Sequence, residues 1–253
     1  MLTDIFVTKL GMTQAWTKSG KRLAVTRVKV GPNAVISKTE ASVLDKNSTK
    51  RDTLPCTILE VGFGAKKLKN MSKPLRTKLE KSGFSNGVAS IRGVRVYEGA
   101  DEINVGDTLT ATQVLSVGDV VKVQGFTKGR GFAGGIKRHG FHGGPKTHGQ
   151  SDRHRAVGSI GAGTTPGRVW KGKKMPGHYG NVAKTVSGLV VLHIDEATGE
   201  VWLSGPVPGS IMSDLKVSKV GRTKNIDIDR EASSLPEEKV VEEVATENTE
   251  SEA

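Results

Sequence analysis

Between positions 125 and 180 the chain holds sixteen glycines, eleven lysines or arginines and five of its six histidines, against one acid, Asp152. Burial of so few aliphatic side chains cannot offset the entropy of ordering the backbone, and like charges repel along the stretch. Free in water it is expected to be disordered. Only a partner can order it, and its charge makes that partner a polyanion. The fold itself must be built by the residues on either side.

Those residues read as short strands. Residues 2–9 and 22–30 alternate or carry β-branched runs, with turn signals at Gly11 and at Ser19-Gly20. Gly31-Pro32-Asn33 marks another turn, residues 34–38 and 57–61 read as strands, and the polar residues 42–52 as a loop. Over residues 65–81 the period changes: Leu68, Met71, Leu75 and Leu79 recur at helical spacing, Ser72 stands as N-cap ahead of Pro74, and Gly83 is the stop. Pro74 predicts two short helical pieces in place of one long helix.

Strand signals return over residues 88–97, 120–123, 189–194, 200–203 and 215–220. Val105-Gly106-Asp107 and Val117-Gly118-Asp119 repeat a turn pattern, and Asp195-Glu196-Ala197-Thr198-Gly199 reads as a hairpin loop. Short strands at regular intervals with glycine turns predict a mainly β fold, a small closed or nearly closed antiparallel barrel. The basic stretch is then an insertion between two of its strands. Trp202, on an alternating strand, is assigned to the core.

The net charge of +12 understates the asymmetry, because from Glu231 onward there are eight glutamates and one lysine. Nucleic acid is the commonest polyanion for so basic a chain, and no basic amphipathic helix with an aromatic face argues for a membrane surface instead. No run approaches the roughly 18 apolar residues of a membrane span, and the N-terminus enters alternating sequence directly, without the pattern of a targeting peptide, so a cytoplasmic protein is expected. The single cysteine, Cys56, has no partner for a disulfide or a zinc site and is expected to be a buried thiol.

A segment of 56 residues going out and back, at about 3.3 Å per residue, reaches roughly 90 Å, far more than a surface loop needs. Glycine lets its backbone approach a ligand closely, while interspersed cations neutralise phosphates inside a folded polyanion. Lys128, Arg130, Lys137 and Arg138 are assigned to the outgoing limb, Arg153 and Arg155 to the stretch before the tip, and Arg168, Lys171, Lys173 and Lys174 to the returning limb. His139, His148, His154 and His178 join them as groups that donate to phosphate or stack on bases. Trp170 either stacks on a base or anchors the arm against the protein's own β domain. Phe126, Phe132 and Phe141 are expected to pin the arm's root.

Five stretches carry a family resemblance: FVTKLGMTQAW (6–16), VGDVVKVQGFTKGRGFAG (117–134), HGQSDRHRAVGSIG (148–161), TPGRVWKGKKMPGHYG (165–180) and VPGSIMSD (207–214). As an ordered set they resemble the bacterial form of the large-subunit ribosomal protein L-three family, over residues 1–219. The resemblance implies a six-stranded antiparallel barrel of the translation-protein type, with a small α+β insertion and a long extended arm. That arm would pass through large-subunit (23S) rRNA toward the peptidyl transferase centre. A part in early subunit assembly and neighbouring large-subunit proteins as partners are also implied.

In these terms residues 1–124 and 181–220 form the barrel domain, with a helical insertion near 65–83. Residues 125–180 are the arm, and 221–253 an acidic, disordered tail that binds a partner, masks charge or is merely solvated. Gly158, Ser159, Ile160, Gly161 and Ala162 become the tip near the peptidyl transferase centre. Ala162 follows the GSIG motif where some bacterial members carry a methylated glutamine, so that modification is not expected. The tail lies outside the family pattern.

Sharper chemistries fit less well. Gly129-x-Gly131-x-x-Gly134 matches the dinucleotide fingerprint, with Asp152 downstream, but no long helix or second parallel strand follows. His139, His142, His148 and His154 lack cysteine partners and stand among cations, which disfavours a metal. Ser151, Asp152, His154 and Ser159 are hydrolase residue types, yet Val157 stands where a nucleophile elbow needs its first glycine. Neither catalysis, cofactor, metal nor small-molecule substrate is expected. A sequence-tolerant RNA chaperone and a nucleotide-binding enzyme are the rival readings.

Overall fold

The computed structural model describes residues 2–44, 53–97 and 103–233. Alternating apolar residues form six strands whose ladders close on themselves: β1 (Asp4–Thr17), β2 (Arg22–Lys29), β7 (Asp119–Phe126), β10 (Ala183–Asp195), β11 (Glu200–Ser204) and β12 (Asp214–Thr223). The order β1-β2-β11-β10-β7-β12 returns to β1, every pairing being antiparallel. Strand periodicity decides what lies inside the ring. Ile5, Val7, Val28, Val121, Val123, Val191, Leu203 and Leu215 form one buried cluster, each side chain contributing about 1.5–3 kcal/mol. Ala111 and Val114 of the short helix α2 (Ala111–Val114) join that cluster.

A second sheet runs β5-β4-β3-β6, from β3 (Asn33–Leu44), β4 (Thr53–Lys66), β5 (Gly87–Val96) and β6 (Thr108–Leu109). Phe6, one residue out of phase with Ile5 and Val7, faces this sheet and stacks on Phe63 with ring centroids 4.5 Å apart. A single 3₁₀ turn (Leu68–Asn70) and helix α1 (Lys73–Lys81) cover it, packing Met71 and Leu79 on Ile36. The two short helical pieces expected from Pro74 are present. Leu75 is 41% exposed, so the helical stripe is narrower than its spacing predicts. The helical insertion near 65–83 is thus the connection between β4 and β5 of a larger sheet-bearing unit. Cys56 is buried there.

Other boundaries move. Gly11 is no turn: β1 passes through it with a register shift between Lys9 and Gly11 against β2, a bulge that bends a strand without ending it. Ser42, Val43 and Leu44 belong to β3, so the loop expected over 42–52 does not begin at Ser42; residues 45–52 lie outside the described residues. Residues 221–233, expected to open the disordered tail, finish β12 and form β13 (Ile228–Asp229), which pairs with Trp16 and Thr17 of β1. Ile226 and Ile228 pack beside Trp202, the core residue expected, so apolar burial holds this segment down. The acidic remainder, 234–253, lies outside the described residues.

Candidate nucleic-acid interface

The basic stretch leaves the ring as a continuation of β7 and returns into β10, whose ladder still pairs Phe126 with Ala183. Beyond it the limbs stay hydrogen-bonded: Thr127 N–H donates to Val182 O at 3.0 Å, Arg130 N–H to Tyr179 O and Tyr179 N–H to Gly131 O, both at 2.9 Å. A two-strand ladder then joins β8 (Phe132–Ala133) to β9 (Gly177–His178). Gly180 makes this approach possible. Its φ is +78°, and a Cβ would lie 2.2 Å from Lys128 O, so no other residue fits without moving a backbone.

Beneath the root, Lys9 is buried and its ammonium donates to Val207 O at 3.0 Å and Gly209 O at 3.1 Å. Burial, and then the Lys128 charge, hold its pKa below the usual lysine value.

Farther out, helix α3 (Gly135–His139) aims two side chains across the arm. The Arg138 guanidinium donates to Met175 O at 2.8 Å, and the His139 ring lies 3.1 Å from the same oxygen. The His154 ring lies 3.1 Å from Pro145 O, and Gly144 N–H donates to His154 O at 2.9 Å. These three half-buried groups, assigned to RNA from the sequence, are struts between arm segments. The other twelve assigned side chains are exposed: Lys128, Arg130, Lys137, His148, Arg153, Arg155, Arg168, Trp170, Lys171, Lys173, Lys174 and His178.

Two cations lie over aromatic faces, Arg130 on Tyr179 and Arg168 on Trp170, each 4.9 Å from the ring centroid. Sequence reasoning missed Tyr179, because only the pairing of the limbs brings it beside a residue 49 positions away. Trp170 is 60% exposed and does not anchor on the β domain. The expected pinning of the root by Phe126 and Phe132 is not found. They are 51% and 80% exposed, and backbone hydrogen bonds fasten the root instead. Phe141 is half-buried, edge-on to His139 at 6.2 Å, within the arm. All five residues expected at the tip, 158–162, are exposed, with the Ser159 hydroxyl turned back to Gly161 O at 2.8 Å.

The same geometry bears on the rival chemistries. The glycine fingerprint leads into a five-residue helix within an antiparallel setting, so no βαβ phosphate site forms. Ser151 donates to the adjacent Asp152 at 3.3 Å while His154 faces Pro145 O, and the three form no relay. Among the described residues no three of His, Cys, Asp or Glu gather as metal ligands, and no helix is long and apolar enough to cross a membrane.

A ring of β-strands bearing a long cation-rich insertion with exposed aromatics defines the class: a mainly β protein with a basic, outward-facing insertion. The sequence profile described as Ribosomal protein L3 matches residues 90–205. Large ribosomal subunit protein uL3 of Herpetosiphon aurantiacus is 40% identical over 222 residues, 88% of this chain and 98% of the relative. Large ribosomal subunit protein uL3c of Emiliania huxleyi is 41% identical over 218 residues, 86% of this chain and 99% of the relative. The uL3 protein of Francisella tularensis subsp. novicida is 38% identical over 212 residues, 83% and 94%. The chain belongs to the uL3 family of large ribosomal subunit proteins, and is a ribosomal protein of the bacterial type.

Proposed function

We propose that the chain is a structural, non-catalytic constituent of the large subunit that binds 23S rRNA through residues 125–180, supports early subunit assembly and carries residues 158–162 toward the peptidyl transferase centre. In this reading the ring of six strands is the closed barrel of the translation-protein type. Together with the second sheet it forms a globular base for the arm, beside neighbouring large-subunit proteins. The observation that carries the proposal is the arm's surface: twelve assigned cationic or aromatic side chains turned outward along an arm whose root is backbone-paired, with Asp152 the stretch's single acid. Exposed cations and unburied rings are costly or idle in water, and each has a use against phosphates and unstacked bases.

A salt titration with a large-subunit rRNA fragment tests it. About ten phosphate contacts give a log–log slope of about −7 to −9. Replacing Lys171, Lys173 and Lys174 together by Ala should flatten this by about 2 to 3 units. Trp170→Ala should weaken binding by about 1–3 kcal/mol and leave the slope alone if the ring stacks on a base. An unchanged slope in the triple variant would remove the returning limb from the interface. A loosely held RNA chaperone would wash off the large subunit at stringent salt, whereas a constituent stays.

A further inference from the structure

The arm does not hold all of the unpaired positive charge. From Lys66 to Lys81 the chain carries six lysines and Arg76 against one acid, Glu80. Two of the seven cations serve the fold: Arg76 donates to Leu68 O at 2.9 Å, and Lys78 pairs with Glu60. Lys66, Lys67, Lys69, Lys73 and Lys81 are exposed, and their ammonium groups meet no hydrogen-bonding or ion-pair partner among the described residues. Packing dictates their direction. Leu68, Met71, Leu79 and Phe84 are drawn onto Ile36, Val88 and Ile91, so the charged positions between them must face out.

Beside this face lies a groove of about 810 Å³ with Ala34, Leu68, Phe84 and Val88 on its floor and Lys66 and Lys67 at its lip. Phe84 is half-buried, which leaves part of its ring open. Apolar floor and cationic rim together match one chemistry, an unstacked base followed by its own phosphates. A duplex keeps its bases stacked and would leave the floor empty. An acidic peptide would satisfy the lysines, but the chain belongs to a large-subunit family, where the polyanion at hand is RNA.

We infer that this groove is a second RNA contact, separate from the arm, which takes an unpaired nucleotide of a looped strand. The base lies against Phe84 and Leu68, and Lys66, Lys67, Lys69 and Lys73 hold the neighbouring phosphates. The inference rests on the rRNA-binding reading above, and the test separates the two.

Full-length chain is bound to large-subunit rRNA in parallel as wild type, as the arm triple-alanine variant and with Lys66, Lys67, Lys69 and Lys73 all replaced by Ala. All four are exposed, and matched thermal melting verifies the fold. The quadruple variant should flatten the salt slope by about 3 units, additively with the arm variant. Ultraviolet crosslinking of the wild type should place a nucleotide on the tryptic peptide 82–92, which contains Phe84. A slope flattened by the arm variant alone, with crosslinks confined to arm peptides, overturns the groove contact and leaves the arm reading standing. A wild type that binds no RNA overturns both. Carbodiimide crosslinks joining these four lysines to glutamates of 234–253, with no nucleotide on peptide 82–92, would make the groove's occupant the chain's own acidic segment and overturn the RNA contact.

Discussion

Asn33 satisfies both backbone groups of Phe6. The Phe6 N–H donates to Asn33 Oδ1 at 3.3 Å, and Asn33 Nδ2 donates to Phe6 O at 3.0 Å and to Gly31 O at 3.0 Å. Asn33 is fully buried at the start of β3, and Phe6 lies on the ring strand whose aromatic ring stacks on Phe63 of β4. One amide thus joins the ring to the second sheet.

Removing that amide leaves buried backbone groups unpaired, each costing about 1–3 kcal/mol. Asn33→Ala is therefore expected to destabilise the protein by about 2–4 kcal/mol in urea unfolding, with Phe63→Leu milder. A loss below about 0.5 kcal/mol would show that water replaces the amide and that the joint lies elsewhere.

Lys9 gives a pH signature. The unfolded lysine keeps its proton to about its ordinary pKa of 10.5, whereas the folded one releases it earlier because of burial and Lys128. Between the two values the unfolded chain binds more protons, so this residue's contribution to stability rises with pH across that window. The unfolding free energy of wild type relative to Lys9→Met should therefore increase as pH is raised toward 10.5, and Lys128→Met should move the window upward. A difference independent of pH would contradict the depressed pKa.

Protease sensitivity should follow burial along the arm. The root limbs are laddered at β8 and β9, while residues 158–174 are exposed throughout. Trypsin acting on the RNA-free protein is expected to cut first between Lys146 and Lys174, and only later after Lys128 or Arg130. Equal resistance over the entire span 125–180 would mean that the outer arm is as stable as its root.

Residues 158–162, proposed as the tip, hold four small residues around Ile160 and no cation of their own. Ser159→Trp is expected to slow peptidyl transfer or alter antibiotic binding more than it lowers the yield of assembled subunits. Normal translation alongside failed assembly would put the tip elsewhere in the rRNA.

Much of this was legible in local pattern. The strand alternation of β7, β10, β11 and β12, the short helix behind Pro74, the hairpin ending at Gly199 and the cation-rich arm each depend on neighbours within a few residues. Helix and strand periods, turn chemistry and charge density act at that range, so the sequence by itself determined a mainly β protein with a long cation-rich insertion. Tertiary structure decided what depends on distant partners. It closed the ring by pairing β1 with β12, carried the strand through Gly11, and tied residues 228–229 to Trp16 and Thr17. It also turned Arg138, His139 and His154 inward as struts while leaving Trp170 and Phe132 outside. A cation's residue type establishes its charge, but whether it meets a carbonyl or a phosphate depends on which backbone the fold brings within 3 Å or so.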